Sequence, residues 1–398
     1  MASFSVDFLG CKVSHADAQA LRERLLADGH VESPGAAEVA VVNTCCVTHE
    51  AVRKSRTAAR RAARGARRVY VTGCAANLPG DAFAGLPENV AVVPLRSERA
   101  VDHVAGAVGA IGCVQADARL DRVRAFVKVQ DGCSFSCAFC VIPQVRGASR
   151  SRRAAAVLAE VERRVAQGHR EVVLTGINLG CYRDREAGFD LPRLVRAAGA
   201  RPGLDRLRLS SIEVNHLGDE LLAAMRETPT VARHLHVPLQ SGDDNVLAAM
   251  GRRYSTGLYL RRVGRAEGFN LTTDAIVGFP GEDEAAFEET LRTIEAAGIT
   301  KVHVFPYSPR PGTQTAAADP VPPAAKKERS ARLRALSAQL CARRWRGKVG
   351  SGDAVLVDRP GRGYGDDYTP WLVDAPVGAL VRARATAVTE EGVVGVAV

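Results

Sequence analysis

Of the ten cysteines in the 398-residue chain, six are spaced for metal chemistry. Cys133, Cys137 and Cys140 form a C-x3-C-x2-C run in DGCSFSCAFCVIP. At this cysteine frequency chance would produce such a run roughly 0.006 times in a chain of this length, so the spacing is a signal by itself. Three thiolates on one short loop can hold three irons of a [4Fe-4S] cluster and leave the fourth without a protein ligand. An open iron can take a substrate or cofactor, as the open position of a catalytic zinc does. Structural zinc is the alternative reading, but it calls for a fourth cysteine or histidine and the loop has none nearby. Cys11, Cys45 and Cys74 form a second set. Each follows an apolar run, FSVDFLG, VAVVN or VYVTG, and so ends a predicted parallel strand. The carboxyl ends of parallel strands open on one crevice, which would gather three thiols 34 and 29 positions apart into a second three-thiolate site. Buried structural cysteine is the alternative for each one singly. Cys46 would face the opposite side from Cys45 if the strand continues and is therefore read as a bystander, and Cys113, Cys181 and Cys341 are expected to act as small apolar filling.

These groups need a scaffold. Strands at FSVDFLG, EVAVVN and RRVYVTG alternate with helical patterns at ADAQALRERLLADG and HEAVRKSRTAARRAAR, which predicts an N-terminal parallel α/β sheet. From about residue 124 the alternation restarts, with strands at RAFVKVQ, REVVLTGI, RLRLSSI, HLHVPLQ, LTTDAIVG and KVHVFPYS. Helices are predicted near 155–168, 190–199, 218–227, 256–267 and 283–298. Six such units fit a partial, open (βα)6 barrel. A basic helix around 325–347 then leads to short alternating strands with glycine and proline turns, the pattern of a small β-barrel. The expected fold class is therefore α/β with a small C-terminal β-barrel, divided at 1–117, 118–344 and 345–398.

The rim of a (βα) barrel, where its strands end, is where cofactors and substrates are handled, and here it carries Asn178, Ser210, Ser211, Glu213, Gln240, Ser241, Gly278 and Glu282. His234, His236 and His303 alternate with apolar residues and read as satisfied barrel histidines. Charge adds a partner class. The chain has 54 basic and 44 acidic residues, a formal charge of +10. Arg53, Lys54, Arg56, Arg60, Arg61, Arg64, Arg67 and Arg68 stand together without an acid, and residues 326–348 carry nine basic residues against Glu328. Two such blocks suit a polyanion, since arginine and lysine contacts to phosphates dominate nucleic-acid affinity. Arg146, Arg150, Arg152 and Arg153, after the cysteine loop, are expected to serve the same electrostatics or those of a cofactor. No apolar stretch approaches the roughly 20 residues of a membrane span, and no export signal is visible, so a cytoplasmic, non-membrane protein is expected. In that reducing compartment clustered thiols are metal ligands sooner than disulfides. The absence of a P-loop, a G-x-G-x-x-G fingerprint and an H-E-x-x-H helix weakens nucleotide-hydrolysing, nicotinamide and zinc-protease readings.

C-x3-C-x-aromatic-C, with Phe139 before the last cysteine, resembles the radical S-adenosylmethionine (SAM) signature. With LGCKV, NTCCV and VTGC before it, LTGINLGCY, RLSSIE, HLHVPLQSGDDNVLAAMGRRY, IVGFPGE and FPYSPRPGT after it, and GYGDDYTPWLV and GALVRARATAV in a TRAM-like end module, essentially the whole chain resembles the methylthiotransferases. The resemblance implies two [4Fe-4S] clusters, one on Cys133, Cys137 and Cys140 and one on Cys11, Cys45 and Cys74. It implies SAM chelated at the open iron and cleaved to a 5′-deoxyadenosyl radical, with contacts from Phe139, Asn178, Glu213, Gln240 and Gly278. It implies tRNA as partner and an electron donor of the flavodoxin or ferredoxin type. LGCKV, VQDGC, LTGI-x-LG and RLSSIE are most similar to the branch acting on N6-threonylcarbamoyladenosine (t6A) at tRNA position 37, where sulfur and methyl enter at C2. The isopentenyladenosine branch, the branch acting on a ribosomal-protein aspartate and a non-catalytic iron–sulfur RNA-binding protein are the alternatives. Ser14, Gln144, Cys46 and Cys181 depart from the usual residues of the branch, and none removes a cluster ligand. The end module carries six basic and seven acidic residues over 345–398, so the basic blocks are expected to supply the phosphate attraction.

Overall fold

Val39, Ala40, Val41 and Val42 run without a polar break, as a strand covered on both faces must. In the computed structural model Val39–Thr44 is buried along its whole length at the centre of a five-stranded parallel sheet. The structure describes residues 2–33, 35, 37–110 and 123–398. The sheet order is Val31–Glu32, Ser3–Phe8, Val39–Thr44, Arg68–Gly73, Val90–Val92. The three predicted strands form its middle, and the two edge strands, each of three residues or fewer, are too short to show a periodic pattern. Alternate residues of the central strand feed two cores. Val39 and Val41 pack with Phe4, Leu21, Leu25 and Val104, while Ala40 and Val42 pack with Ala59, Val69 and Val71. Helix His49–Ala63 starts where the Thr48 hydroxyl accepts the Ala51 N–H at 3.1 Å, and it buries Ser55 and Ala59 while its arginines face outward.

The chain divides into two compact units. The described residues of Met1–Leu120 pack with Asp131–Arg150 and Ser308–Ala317; Asp121–Gln130, Ser151–Tyr307 and Ala318–Val398 form the other unit. All six predicted cluster cysteines fall in the first unit, whereas Asn178, Glu213, Gln240 and Gly278 fall in the second. Cys113 lies outside the described residues.

In the second unit the described residues include the six parallel strands expected, Arg124–Lys128, Glu171–Thr175, Arg206–Leu209, His234–His236, Asn270–Val277 and Lys301–Pro306. They form two three-stranded sheets joined by single parallel bridges, Leu207 to Val231 and Ser211 to His236. Leu271, Ala275 and Val277 join the apolar core, so Asn270, Thr272 and Asp274 face the other way, into the barrel. After helix Pro323–Arg346 the chain closes a five-stranded barrel around Trp371, with Val355, Val357, Ala383 and Val393.

That small barrel is locked to the starts of the parallel strands. Glu171, fully buried, lies 2.6 Å from Arg124, 3.3 Å from Arg206 and 2.9 Å from Arg208. Arg206 donates to the carbonyls of Tyr364 and Ala354, and Arg208 to those of Asp366 and Gly365. Tyr368, held at φ 67°, stacks on Tyr364 with centroids 4.9 Å apart, and the Arg208 guanidinium lies 4.7 Å from its ring centre.

Candidate functional site

Three strand ends of the N-terminal sheet bring Cys11, Cys45 and Cys74 to one crevice. Gly10 has φ 132°, and a Cβ there would come within 2.8 Å of Ser14 Oγ and 3.3 Å of Cys45 Cβ. Gly73 has φ 89°, and its Cβ would sit 2.1 Å from Asn43 Oδ1 and 2.7 Å from the Thr44 backbone. Glycine before Cys11 and before Cys74 is what lets the chains approach so closely. Burial, opposed by the Val47 N–H, and then the nearby Cys74 and Cys11 sulfurs push the Cys45 thiol up to about 11. Soft sulfurs that repel one another when ionised form a set that a cationic metal stabilises, so the donors fit an iron–sulfur cluster.

Cys46 corrects the expectation that it turns away. The strand ends at Thr44, so two-residue alternation no longer applies, and Cys46 is buried in the same cluster as Cys74, with which its thiol can share a hydrogen bond. That bond and burial hold Cys46 far above the ordinary thiol range. The same bond lowers Cys74; burial opposes it, and the Arg146 guanidinium lowers it further, to about 7.

The second cysteine loop lies in the same unit. Cys133, Cys137 and Cys140 line an open pocket of about 470 Å³ with Phe135, Gln144, Gly312 and Thr313. Gly132 permits the turn into it, because a Cβ would meet the Ala148 carbonyl oxygen at 2.2 Å. Thr315 clamps the loop, its N–H and hydroxyl donating to the Ala138 carbonyl at 3.2 and 3.0 Å. Three thiols facing an open space suit a cluster that must admit a further ligand. Phe139 is half-buried between Ala138 and Cys140.

In the second unit the rim residues are held in distinctive ways. Asn178 is buried with its N–H bonded to Gln130 Oε1 at 2.8 Å, and its own Oδ1 has no partner. Ser210 Oγ and Thr175 Oγ1 are likewise buried and unpartnered. Unsatisfied buried acceptors and hydroxyls at the rim fit a polar ligand such as SAM. Gln240 adopts φ 69°, a conformation a non-glycine residue holds only when its surroundings impose it. The Gly278 N–H donates to Glu282 Oε1 at 2.7 Å, and a Cβ there would strike the Lys326 stem at 2.4 Å. Glu213 accepts from the Asn215 N–H and pairs with Arg252 at 3.2 Å.

Family signatures match two stretches, the Radical SAM superfamily over residues 127–294 and the Uncharacterized protein family UPF0004 over residues 3–94. The Threonylcarbamoyladenosine tRNA methylthiotransferase MtaB of Thermotoga maritima is 33% identical over 99% of this chain and 96% of its own length. The chain belongs to the radical SAM methylthiotransferase family. The tRNA-2-methylthio-N(6)-dimethylallyladenosine synthase of Paracoccus denitrificans is 34% identical over 97% of this chain and 95% of its own length. Among solved structures, the radical SAM methyltransferase TsrM of Kitasatospora setae shares the fold, with TM-score 0.53 and 17% identity over 79% of this chain and 77% of that one. The radical SAM superfamily brings with it SAM and a [4Fe-4S] cluster.

Several expectations change in this methylthiotransferase. Arg146, Arg150, Arg152 and Arg153 are all paired internally: Arg146 and Arg150 with Asp131, Arg152 with Glu160, and Arg153 with Asp184 and Glu186. Most of the block 326–348 is neutralised too, Lys326 by Asp319, Arg329 by Glu282, Arg332 by Glu284 and Glu288, and Arg344 and Lys348 by Asp367. In the first block Arg56 donates to the carbonyls of Ala82 and Ala84, while Arg60, Arg61, Arg64 and Arg67 are exposed. Cys181 is no inert filler, since its sulfur lies 3.3 Å from His216 Nε2. Cys341 donates to the Thr300 carbonyl at 3.1 Å. His234 and His236 share the Thr272 hydroxyl at 3.0 and 2.9 Å, as satisfied histidines do. The sequence reading missed Asp274, which gathers His236 and His303 into one cluster inside the barrel. Its signal was a lone carboxylate at an inward position of LTTDAIVG.

Proposed function

We propose that this chain converts N6-threonylcarbamoyladenosine at position 37 of tRNA to its 2-methylthio derivative. The observation that carries the reading is the convergence of Cys11, Cys45 and Cys74 in a chain that also has the Cys133, Cys137, Cys140 loop. A radical SAM enzyme that only cleaves SAM has no use for the first set, whereas an enzyme that adds sulfur needs a second centre to hold it. Two [4Fe-4S] clusters are assigned accordingly, with the boundaries 1–117, 118–344 and 345–398 separating sulfur-side, radical and TRAM-like parts.

When bound, SAM and the clusters supply a primary carbon radical and a methylated sulfur, chemistry an aromatic C2–H requires because it is neither acidic nor easily displaced. The protein's own residues bind and orient. Phe139, Asn178, Glu213, Gln240 and Gly278 are assigned to SAM, Asn178 through its unpartnered Oδ1. The exposed arginines of helix His49–Ala63 supply phosphate attraction. The setting is cytoplasmic, and among the described residues no helix is long and apolar enough to cross a membrane. A flavodoxin- or ferredoxin-type protein is the assigned electron donor. LGCKV, VQDGC and RLSSIE favour t6A as substrate, as does the near-complete span of the Thermotoga relative. The Paracoccus relative of similar identity makes dimethylallyladenosine the second reading.

Mass spectrometry of nucleosides from a deletion strain tests this. The 2-methylthio derivative of t6A should vanish and t6A accumulate. Loss of 2-methylthio-dimethylallyladenosine instead would establish the second reading. Unchanged nucleosides with a ribosomal protein lighter by one methylthio group would move the substrate to protein.

A further inference from the structure

Arg146 is buried to 4% exposure, and each nitrogen of its guanidinium has a partner in the first unit. Nε–H donates to Cys74 Sγ at 3.0 Å, Nη1 to Asp131 Oδ1 at 3.1 Å and Nη2 to Asp17 Oδ2 at 3.0 Å. Both carboxylates are buried as well. Asp131 is held in turn by the Gly132 N–H at 2.7 Å and by Arg150 at 3.2 Å. The planar fork of an arginine so tethered cannot rotate, so the direction of its Nε–H is fixed.

The placement of the three partners is informative. Cys74 is one of the three convergent cysteines, Asp17 lies on the helix that Cys11 opens, and Asp131 stands two residues before Cys133. A guanidinium that served only to bridge the two carboxylates would be satisfied through two nitrogens. The third, aimed at a sulfur, is what a purely structural role leaves unexplained.

We propose that Arg146 is a positioning residue that sets the reduction potential of the N-terminal cluster and ties the two three-cysteine sets to one rigid side chain. The inference rests on the reading that Cys11, Cys45 and Cys74 hold a cluster. An N–H donated to a ligating sulfur draws electron density from it and favours the reduced, more negative state of the cluster, which raises its potential. Lysine in the same place would keep a charge for Asp17 and Asp131 but lose the fixed fork that aims a donor at Cys74.

The test uses the full chain with Cys133, Cys137 and Cys140 replaced by Ala, reconstituted anaerobically so that about four irons per chain report one cluster. Redox titration followed by electron paramagnetic resonance compares this parent with the same protein carrying Arg146→Lys. The expected result is a more negative midpoint at unchanged iron content; an unchanged midpoint at unchanged iron content overturns the proposal. Where Arg146→Lys fails to hold iron, Arg146→Gln, which removes both the fixed fork and its positive charge, should shift the midpoint the same way. No shift there, or loss of iron from both variants, overturns tuning in favour of a role in assembly. A parent without iron would overturn the two-cluster reading itself, and this inference with it.

Discussion

Two buried polar clusters in this molecule are built to opposite ends. At the starts of the barrel strands Glu171 is saturated by Arg124, Arg206 and Arg208, and Arg206 and Arg208 spend their remaining donors on the backbone of the small barrel. At the thiol crevice Arg146 is also fully engaged, but the groups around it are not. Cys45 is held above its ordinary range, and Asn43 Oδ1 is buried without a partner beside the cavity that Cys74 and Arg146 line. A carboxylate shared by three arginines, two of which donate on to backbone carbonyls, reads as architecture. A cluster of crowded, buried sulfurs with an unsatisfied acceptor beside it reads as a place that something else completes. The charge count alone would not separate them, because both are arginine–carboxylate groups.

The comparison can be broken first at the thiols. Replacing Cys11, Cys45 or Cys74 by Ala should abolish methylthio product while 5′-deoxyadenosine formation from SAM stays measurable, since cleavage is assigned to the other set. Replacing Cys133, Cys137 and Cys140 together should abolish cleavage and lower iron from about eight to about four per chain. Normal product from Cys45→Ala with Cys46 intact would show that Cys46, buried beside Cys74, is the true ligand.

At the saturated cluster the effect should fall on stability. Glu171→Gln leaves three buried arginines short of their counter-charge, so the loss should be about 3–5 kcal/mol, read as a drop in Tm or denaturant midpoint. A variant as stable as the parent would mean that the backbone carbonyls alone suffice. This locking also bears on the end module. Deleting residues 345–398 would strip Arg206 and Arg208 of those carbonyls, so the deletion would report folding before it reported tRNA contact.

The smallest expected effect is on salt dependence. Arg60, Arg61, Arg64 and Arg67, all exposed, are the better set to remove, because Arg56 is tied to two carbonyls. Changing the four to Gln should flatten the slope of log tRNA affinity against log salt by about 0.9 for each phosphate no longer neutralised. Changing Lys327, Arg334, Arg343 and Arg346 should flatten it less if helix His49–Ala63 carries the binding. Equal flattening would restore the second block to equal standing.

Much of this protein was legible in the sequence because its signals are local. Strand and helix periods, C-x3-C-x2-C and the three cysteines at strand ends depend on spacing along the chain, and spacing survives folding unchanged. The parallel sheet, the six barrel strands and the closed terminal barrel follow from those periods, and so does the meeting of Cys11, Cys45 and Cys74, because parallel strands must end on the same side. What only the tertiary structure decided is who neutralises whom. Arg146 and the block 326–348 look like free charge in sequence, and Cys46 looks like a bystander. Their partners lie far away in the chain: Asp17 is 129 positions from Arg146, and the Arg206 donors reach carbonyls 148 and 158 positions on. Electrostatic pairing depends on distances of a few ångströms between residues that composition cannot bring together. A count of charges therefore sets the net field of this protein, and only the fold decides which charges remain to act on a partner.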